Sequence, residues 1–223
     1  MTLSLPIALP SESSGVGFSL TATGIIMSIA SQSLQQLKNV IFQTVTLPAV
    51  EWEFFVSGLR DKCFRKGSTL INVDEPVENF FFIVRGLARY YYETPSGKQV
   101  TKSFALENDF IGSLVAMKLK VPSRFSVEAL EATETIVLPL TLLEEAYARH
   151  HAWEKLGRHY AEQLAIKKII REGEFLLDSA EKRYLRFLKE HPALIERVPQ
   201  YHIASYLGIT DVSLSRIKKN LKN

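Results

Sequence analysis

The sequence QYHIASYLGITDVSLSRIKK, residues 200–219, has the spacing of two short helices that cross at a tight turn. The small side chain of Ala204 allows close crossing, and Gly208 can supply the positive φ that such a turn requires. Thr210 then suits the N-cap of the second helix. Apolar residues occupy the inward positions of both helices: Ile203, Leu207, Ile209, Leu214 and Ile217. The pattern predicts a helix-turn-helix, and two amphipathic helices of an ordinary all-α domain are the alternative.

Positive charge is concentrated around this motif. The chain has 27 Lys and Arg against 24 Asp and Glu, a net charge of +3. Residues 179–223 contain 9 of the basic and 4 of the acidic residues, which gives +5, whereas residues 1–178 carry a net −2. A basic helix-turn-helix favours the phosphate backbone of nucleic acid as a partner. A solvated basic tail is the alternative.

The sequence lacks the residues that several classes of function require. With 223 residues the chain has room for one large or two small domains. Its single thiol, Cys63, cannot form an intrachain disulfide or an iron–sulfur site that needs four thiolates. No His precedes His150, which argues against a haem or metal site in the preceding strands. The sequence also lacks a nucleophile–base pair and a phosphate-binding glycine loop. We therefore expect neither enzymatic activity nor a bound cofactor.

The beginning of the chain differs in composition from the rest. Residues 1–32 are rich in Ser, Gly, Thr and Pro and nearly free of charge, so we expect a flexible N-terminal extension. They lack the basic segment of a secretory signal, and no apolar run approaches the roughly 18–20 residues of a membrane span. These features predict a cytoplasmic protein without a membrane partner.

Residues 33–140 change from a helical to an alternating apolar period. Leu34, Leu37 and Ile41 share one helical face, and an amphipathic helix is expected after Pro48. From Phe64 to Leu138, short apolar runs are separated by turn residues, among them Gly67, Pro76, Gly86 and Gly97. Short strands with frequent turn signals predict an antiparallel roll or sandwich.

Residues 141–178 are expected to form a short helix and then a long one. About 25 residues without a helix breaker is long for a helix that lies only on its own roll. We therefore expect the long helix to form a homodimeric coiled coil, and a helix that packs on its own roll is the alternative. The charged residues Lys167 and Glu174 interrupt the apolar stripe. The residues predicted to form the dimer seam recur at spacings near 3.5: Trp153, Leu156, Tyr160, Leu164, Ile170 and Leu177.

This order of helices, roll, long helix and helix-turn-helix resembles the Crp/Fnr family of bacterial transcription regulators. The resemblance extends from about Leu34 to Lys222, and the most specific match is residues 203–217. Further matching segments are Phe64–Gly67, Phe81–Arg89, the hairpin at Gly97 and Lys98, Asn108–Ser113 and Ser126–Ala129.

The resemblance implies an α+β protein. It has a cyclic nucleotide-binding-like antiparallel roll (jelly roll) at 33–140, a dimerisation helix within 141–178 and a DNA-binding domain at 179–223. We expect the family's C-terminal wing to be missing, since the sequence ends at Asn223.

The resemblance also places an effector pocket in the roll. Cyclic-nucleotide-binding members hold the ribose with a Glu, where Ser113 stands here, and the cyclic phosphate with an Arg. Here Arg124 is displaced by one position, which turns a strand side chain to the other face. Phe125 also stands where those members have a small residue, so we expect that cyclic AMP does not bind. An unknown small-molecule effector and the absence of any effector remain open. The pocket positions are Gly112, Ser113, Ser123, Arg124 and Phe125.

The implied partners are double-stranded DNA, a second copy of the chain and RNA polymerase. Base-reading positions fall on Asp211, Val212 and Arg216, where cyclic-AMP-binding members have Arg, Glu and Arg. Only Arg216 keeps its type, and it suits bidentate contact with guanine. We therefore expect a different operator. The full set of predicted DNA contacts is Gln200, Thr210, Asp211, Val212, Ser213, Arg216, Lys218 and Lys219.

The sequence thus favours a dimeric, sequence-specific DNA-binding transcription regulator with a degenerate nucleotide pocket. The alternative is a ligand- or protein-binding regulatory dimer whose helix-turn-helix is vestigial. The net positive charge of residues 179–223 favours the first interpretation.

Overall fold

A computed structural model describes residues 29–221 of the chain. Of the predicted N-terminal extension, residues 1–28 lie outside this part, and Ser31 already begins the first helix. A helical segment, a β-roll, a long helix and a C-terminal helical domain follow one another in the order that the sequence indicates. Between residues 29 and 221 no helix is long and apolar enough to cross a membrane.

The roll consists of two antiparallel sheets of four strands each. The strands are β1 (Arg60–Phe64), β2 (Thr69–Ile71), β3 (Asn79–Arg85), β4 (Ala88–Glu93), β5 (Gln99–Ala105), β6 (Phe110–Ile111), β7 (Ser126–Ala129) and β8 (Thr133–Pro139). The first sheet has the order β1-β8-β3-β6, and the second sheet has the order β2-β7-β4-β5. This topology confirms the predicted antiparallel roll.

Some elements of the roll have no clear signal in the sequence. In β1 only Phe64 is buried, so the strand shows no alternation of apolar and polar residues. β6 has only 2 residues. The helix α3 (Leu114–Leu119) has only 6 residues, and the hydroxyl of Ser113 caps it by accepting a hydrogen bond from the backbone N–H of Ala116 at 3.3 Å.

Alternation along β3 separates two apolar cores. Phe81 and Ile83 point into the space between the two sheets, where the first core lies. Phe82 points the other way, into a second core between the roll and the helices, which also contains Leu37 and Ile41 of the predicted helical face. The helices that cover this side of the roll are α1 (Ser31–Phe42), α2 (Ala49–Ser57) and α4 (Leu140–Arg149).

The first half of the long helix α5 (His151–Leu177) belongs to the core of its own subunit. Trp153 is 1% exposed and packs on Phe55 with ring centroids 4.4 Å apart, and Leu156 is 8% exposed. The Tyr160 ring lies 4.9 Å from that of Phe110. Trp153 and Leu156 were predicted to form the dimer seam, and this prediction is wrong, because both side chains are buried within their own subunit. Tyr160 is half-buried, and its place in the seam stays a prediction.

The second half of α5 leaves large apolar side chains uncovered within the subunit. Leu164 and Ile170 of the predicted seam are exposed, and Leu177 is 85% exposed. Other exposed apolar residues of this half lie at spacings of three and four around Gly173: Ile166, Ile169 and Leu176. The apolar stripe of the sequence therefore combines two surfaces, one packed on the roll and one free.

The C-terminal domain contains α6 (Ala180–Glu190), α7 (Leu194–Arg197), α8 (Gln200–Tyr206) and α9 (Asp211–Asn220). Gly208 adopts φ +69° between α8 and α9, and a side chain in its place would meet the ring of Phe175 at 2.6 Å. The Thr210 hydroxyl caps α9 by accepting a hydrogen bond from the Ser213 backbone N–H at 3.1 Å. The predicted helix-turn-helix is confirmed, including its turn and its cap.

The position of Leu156 leads to a stability prediction. We expect Leu156→Asp to lower the free energy of unfolding by at least about 3 kcal/mol, because it removes a buried side chain and introduces an unpaired charge. Urea unfolding at a fixed protein concentration measures the effect. The matched control is Leu119→Asp, an exposed apolar position on α3, which we expect to change stability by no more than about 0.5 kcal/mol. Equal stability of the two variants would contradict the packing described for α5.

Candidate nucleic-acid interface and effector region

The outward face of α9 carries the predicted base-reading residues. Leu214 anchors the helix in the domain core and is 1% exposed, whereas Asp211, Val212 and Arg216 are exposed on the other side. Lys219 is exposed in the last turn, where a cation is also favourable to the helix dipole. The helix therefore presents a mixed acidic, apolar and basic surface that is free to meet a partner.

The other predicted contacts already bond within the domain. The Gln200 amide, at the start of α8, donates to the Ser215 hydroxyl at 2.9 Å, and Lys218 Nζ donates to the Gln200 amide oxygen at 3.0 Å. The hydroxyls of Thr210 and Ser213 lie 2.9 Å apart. The structure thus joins Gln200 and Lys218 in a polar chain across α8 and α9.

Residues of α5 and α6 hold the turn of the helix-turn-helix. Arg171 donates a hydrogen bond to the backbone oxygen of Tyr206 at 2.5 Å. Two nitrogens of Arg183 donate to the backbone oxygen of Leu207 at 3.1 and 3.2 Å. These carbonyls end α8 and lack partners within that helix, so the two guanidinium groups satisfy them. The long helix is therefore fixed directly to the turn.

A buried arginine joins the helix-turn-helix to the roll. Arg89 of β4 is 1% exposed, and its Nε donates to the Glu128 carboxylate at 2.8 Å. Its Nη1 donates to Nδ1 of His202 on α8 at 2.8 Å. Because a guanidinium only donates, this His202 nitrogen is the acceptor. Burial, together with the charge of Arg89, lowers the pKa of His202 to about 4. His202 is thus neutral around pH 7.

Further polar contacts support the same interface. The Thr101 backbone N–H on β5 donates to the Ser205 hydroxyl on α8 at 2.9 Å. Arg197 donates to the carboxylates of Glu107 at 2.8 Å and Glu131 at 2.6 Å. The hydrogen bond from Arg197 lowers the pKa of Glu107 to about 2. The sequence gives no local indication of these contacts, since their partners lie 66 to 104 positions apart.

The predicted effector pocket is filled by aromatic side chains. Phe125 points into the roll, and its ring centroid lies 5.4 Å from that of Tyr90. Lys102 Nζ lies 4.0 Å from the Phe125 centroid, and burial, with a smaller effect of Lys168, lowers the pKa of Lys102 to about 8. Arg124 is exposed, on the opposite side of the chain from Phe125. Phe125 and Lys102 are thus packed together in the roll, whereas Arg124 lies on its surface.

The remaining pocket positions have structural partners. Ser113 is buried as the cap of α3, and the Ser123 hydroxyl donates to the Phe125 backbone oxygen at 2.7 Å. The Gly112 backbone N–H donates to the Tyr90 hydroxyl at 3.2 Å, and a Cβ on Gly112 would lie 2.0 Å from the Phe80 ring. Tyr90 thus connects both halves of the predicted pocket. Its inward position follows from the alternation along β4.

Comparison with known proteins assigns the roll to a domain family. Residues 61–150 match the family model of the cyclic nucleotide-binding domain, from β1 to the end of α4. A comparison with curated protein sequences finds no significant match.

Several solved structures share the fold over most of the chain. FixK2 from Bradyrhizobium japonicum is 24% identical, covers 74% of this chain and 84% of its own, and superimposes with a TM-score of 0.62. The c-di-GMP-responsive global regulator CLP from Xanthomonas campestris is 12% identical, with coverages of 78% and 92% and a TM-score of 0.61. The catabolite activator protein of Thermus thermophilus is 16% identical, with coverages of 82% and 86% and a TM-score of 0.51.

These three proteins are Crp/Fnr regulators, and at such identities the likeness concerns the fold. The likeness extends over 74–82% of this chain in the three cases. Residues 61–150 therefore match a cyclic nucleotide-binding domain, and the chain has the fold of the Crp/Fnr family of transcription regulators.

Proposed function

We propose that the protein is a homodimeric, sequence-specific DNA-binding transcription regulator that acts in the cytoplasm. The observation that carries this proposal is the exposed face of α9, with Asp211, Val212 and Arg216 free while Leu214 is anchored below. A helix of this kind enters the major groove with its first turns. The net charge of +5 on residues 179–223 supplies attraction to phosphate.

Each exposed side chain of α9 suits a particular group of the duplex. Arg216 can donate two hydrogen bonds to O6 and N7 of guanine, and Val212 can contact a thymine methyl. Asp211 can accept from cytosine N4. Lys219 and Lys218 stand in the last turn, where they reach the phosphate backbone. RNA polymerase is the partner that such a regulator would contact on the promoter.

The second half of α5 is the surface that we assign to the homodimer. Ile166, Ile169, Gly173 and Leu176 follow the three–four spacing of a coiled-coil seam, and we call them the exposed strip. Gly173 has no atom within 4 Å of a Cβ in its place, so a partner helix can approach there. Leu164, Ile170 and Leu177 flank the exposed strip and widen the apolar surface.

The alternative function is a ligand- or protein-binding dimer with a vestigial helix-turn-helix. The Arg89–His202 contact fixes α8 to the roll, and such a contact would persist if the domain served only as a structural lobe. The exposed basic and acidic face of α9 has no role in that case. Measurement of DNA binding therefore decides between the two functions.

The first prediction concerns direct base readout. An operator is selected with the purified protein from a randomised duplex library, and fluorescence anisotropy at several salt concentrations compares it with a scrambled duplex. We expect Arg216→Ala to cost about 1–3 kcal/mol on the operator and to relax preference at one position of each half-site. The half-sites should lie about 10 bp apart, centre to centre.

Lys219→Ala is the matched control for a phosphate contact. It should weaken binding to both duplexes equally and reduce the salt slope by about one unit per lost contact. An equal loss on both duplexes for Arg216→Ala would make Arg216 a phosphate contact. If the wild-type protein bound neither duplex tightly at low salt, the vestigial interpretation would replace the proposed function.

The second prediction concerns the dimer. We expect Ile169→Asp combined with Leu176→Asp to yield monomers in light scattering, because two charges on each helix would face each other across the seam. The subunit should stay folded, since both side chains are exposed in it. Leu119→Asp, on the roll, should leave the dimer intact. A dimer that survived the double substitution would place the interface elsewhere.

The third prediction concerns the roll. We expect no heat of binding when cyclic AMP is titrated to about millimolar concentration, since Phe125 fills the site and no arginine provides a bidentate partner for the phosphate. Arg124→Ala should behave like the wild-type protein. A micromolar dissociation constant that Arg124→Ala abolished would mean that Arg124 turns inward to hold the phosphate.

A further inference from the structure

The C-terminal domain contains a cavity beside the recognition helix α9. Its volume is about 120 Å³, and it lies between α6, α8 and α9. The residues that line it are mostly apolar: Tyr184, Phe187, Leu188, Ile195, Val198, Ile203 and Leu214, with Gln200 and Lys218 as the polar members. Neither the base-reading surface nor the effector region of the roll includes this space.

The walls and the polar side of this cavity differ in chemistry. Phe187, Val198 and Leu214 are buried and offer no hydrogen-bonding side-chain atom. Lys218 is half-buried, and its Nζ donates to the amide oxygen of Gln200 at 3.0 Å. Within residues 29–221 no carboxylate lies within ion-pair distance of this ammonium group. The cavity therefore combines an apolar interior with one cation that is paired only to a neutral group.

The cavity is large enough to admit water, and it lies at the surface beside Ile195, which is 39% exposed. An aliphatic and aromatic cavity of about 150 Å³ stays dry and takes up a benzene-sized molecule. A carboxylate forms a stronger, charge-assisted hydrogen bond with an ammonium group than an amide does. Both properties select a ligand with a small apolar body and an acidic group.

We propose that this cavity is a binding site for a small amphipathic carboxylate. The apolar body occupies the space between α6 and α9, and the carboxylate accepts a hydrogen bond from Lys218 Nζ in place of Gln200. An aromatic monocarboxylate has the appropriate dimensions.

Occupation of the site has a consequence for α9, and this step rests on the proposed function. Gln200 and Lys218 are both predicted DNA contacts, and they form the polar side of the cavity. A carboxylate at Lys218 neutralises a charge that would otherwise face phosphate. The ligand therefore weakens DNA binding at all sequences, by about the contribution of one phosphate contact per subunit.

Benzoate is the probe, and benzyl alcohol is its neutral counterpart with the same ring. Methyl NMR spectra of the full chain are recorded during titration with each compound. We expect saturable shifts for Leu188, Ile195 and Leu214, and about tenfold tighter binding of benzoate than of benzyl alcohol. The preference for benzoate should vanish in Lys218→Met, which keeps the apolar stem and removes the charge.

Two substitutions that fill the space test the site itself. Leu188→Trp should abolish the methyl shifts of Ile195 and Leu214 with both probes. If this variant does not fold, Ile195→Phe is the second substitution that fills the cavity. Leu188 is partly buried and Ile195 is exposed, so the larger ring has room to adjust. Unchanged spectra of the wild-type protein, or binding that survives a folded filling variant, would overturn the proposal.

The coupling to DNA is measured separately. Saturating benzoate should lower the affinity of the wild-type protein for operator and scrambled duplex by the same factor and leave that of Lys218→Met unchanged. DNA affinity that benzoate did not alter would refute the coupling. If the wild-type protein bound no DNA, the proposed function would fail, and the NMR titration would still decide whether the cavity binds the carboxylate.

Discussion

The long helix α5 is the constraint on which both domains depend. Its 27 residues span about 40 Å as one continuous rod. At one end Trp153 packs into the core between the roll and the helices, where its indole N–H donates to the buried Glu51 carboxylate at 3.3 Å. At the other end Arg171 and Phe175 hold the turn of the helix-turn-helix. The exposed strip lies along the second half of the same helix. In the proposed dimer, a change in how the two subunits pair would therefore move the turn without passing through a flexible linker.

The Arg89 contact explains why the C-terminal domain has a defined position on the roll. A buried guanidinium is stable only when its donors are satisfied, and Arg89 reaches Glu128, Gln99 and Thr101 of the roll as well as His202 of α8. Removal of His202 would leave one donor without its partner, so the docked arrangement is strongly preferred over nearby ones. In the proposed DNA-bound dimer, two recognition helices would have to match successive major grooves, and a fixed orientation of this kind would support a defined half-site spacing.

Local patterns predicted much of this structure, and tertiary contacts account for the rest. Gly208 and Thr210 specify the turn and the cap through their own backbone geometry, so the helix-turn-helix could be found without knowledge of the roll. In contrast, a period near 3.5 shows that α5 has an apolar side but not what covers it. Trp153 meets the roll whereas Ile169 meets solvent, and only the fold distinguishes them. Likewise, the partners of Arg89 come from distant segments, and nothing near Arg89 in the sequence indicates them.

The two regions able to take a small molecule differ in what a ligand would have to displace. In the roll, Phe125, Tyr90 and Lys102 are already in contact, so a ligand there must first open packed aromatic rings. Burial holds the pKa of Lys102 near 8, which also reduces the positive charge available to an anion above that pH. In the C-terminal domain the space beside α9 already exists, and Lys218 needs only to exchange a neutral acceptor for a charged one. Since no packed side chain has to move, the cavity beside α9 is the less costly of the two regions for an acidic ligand to enter.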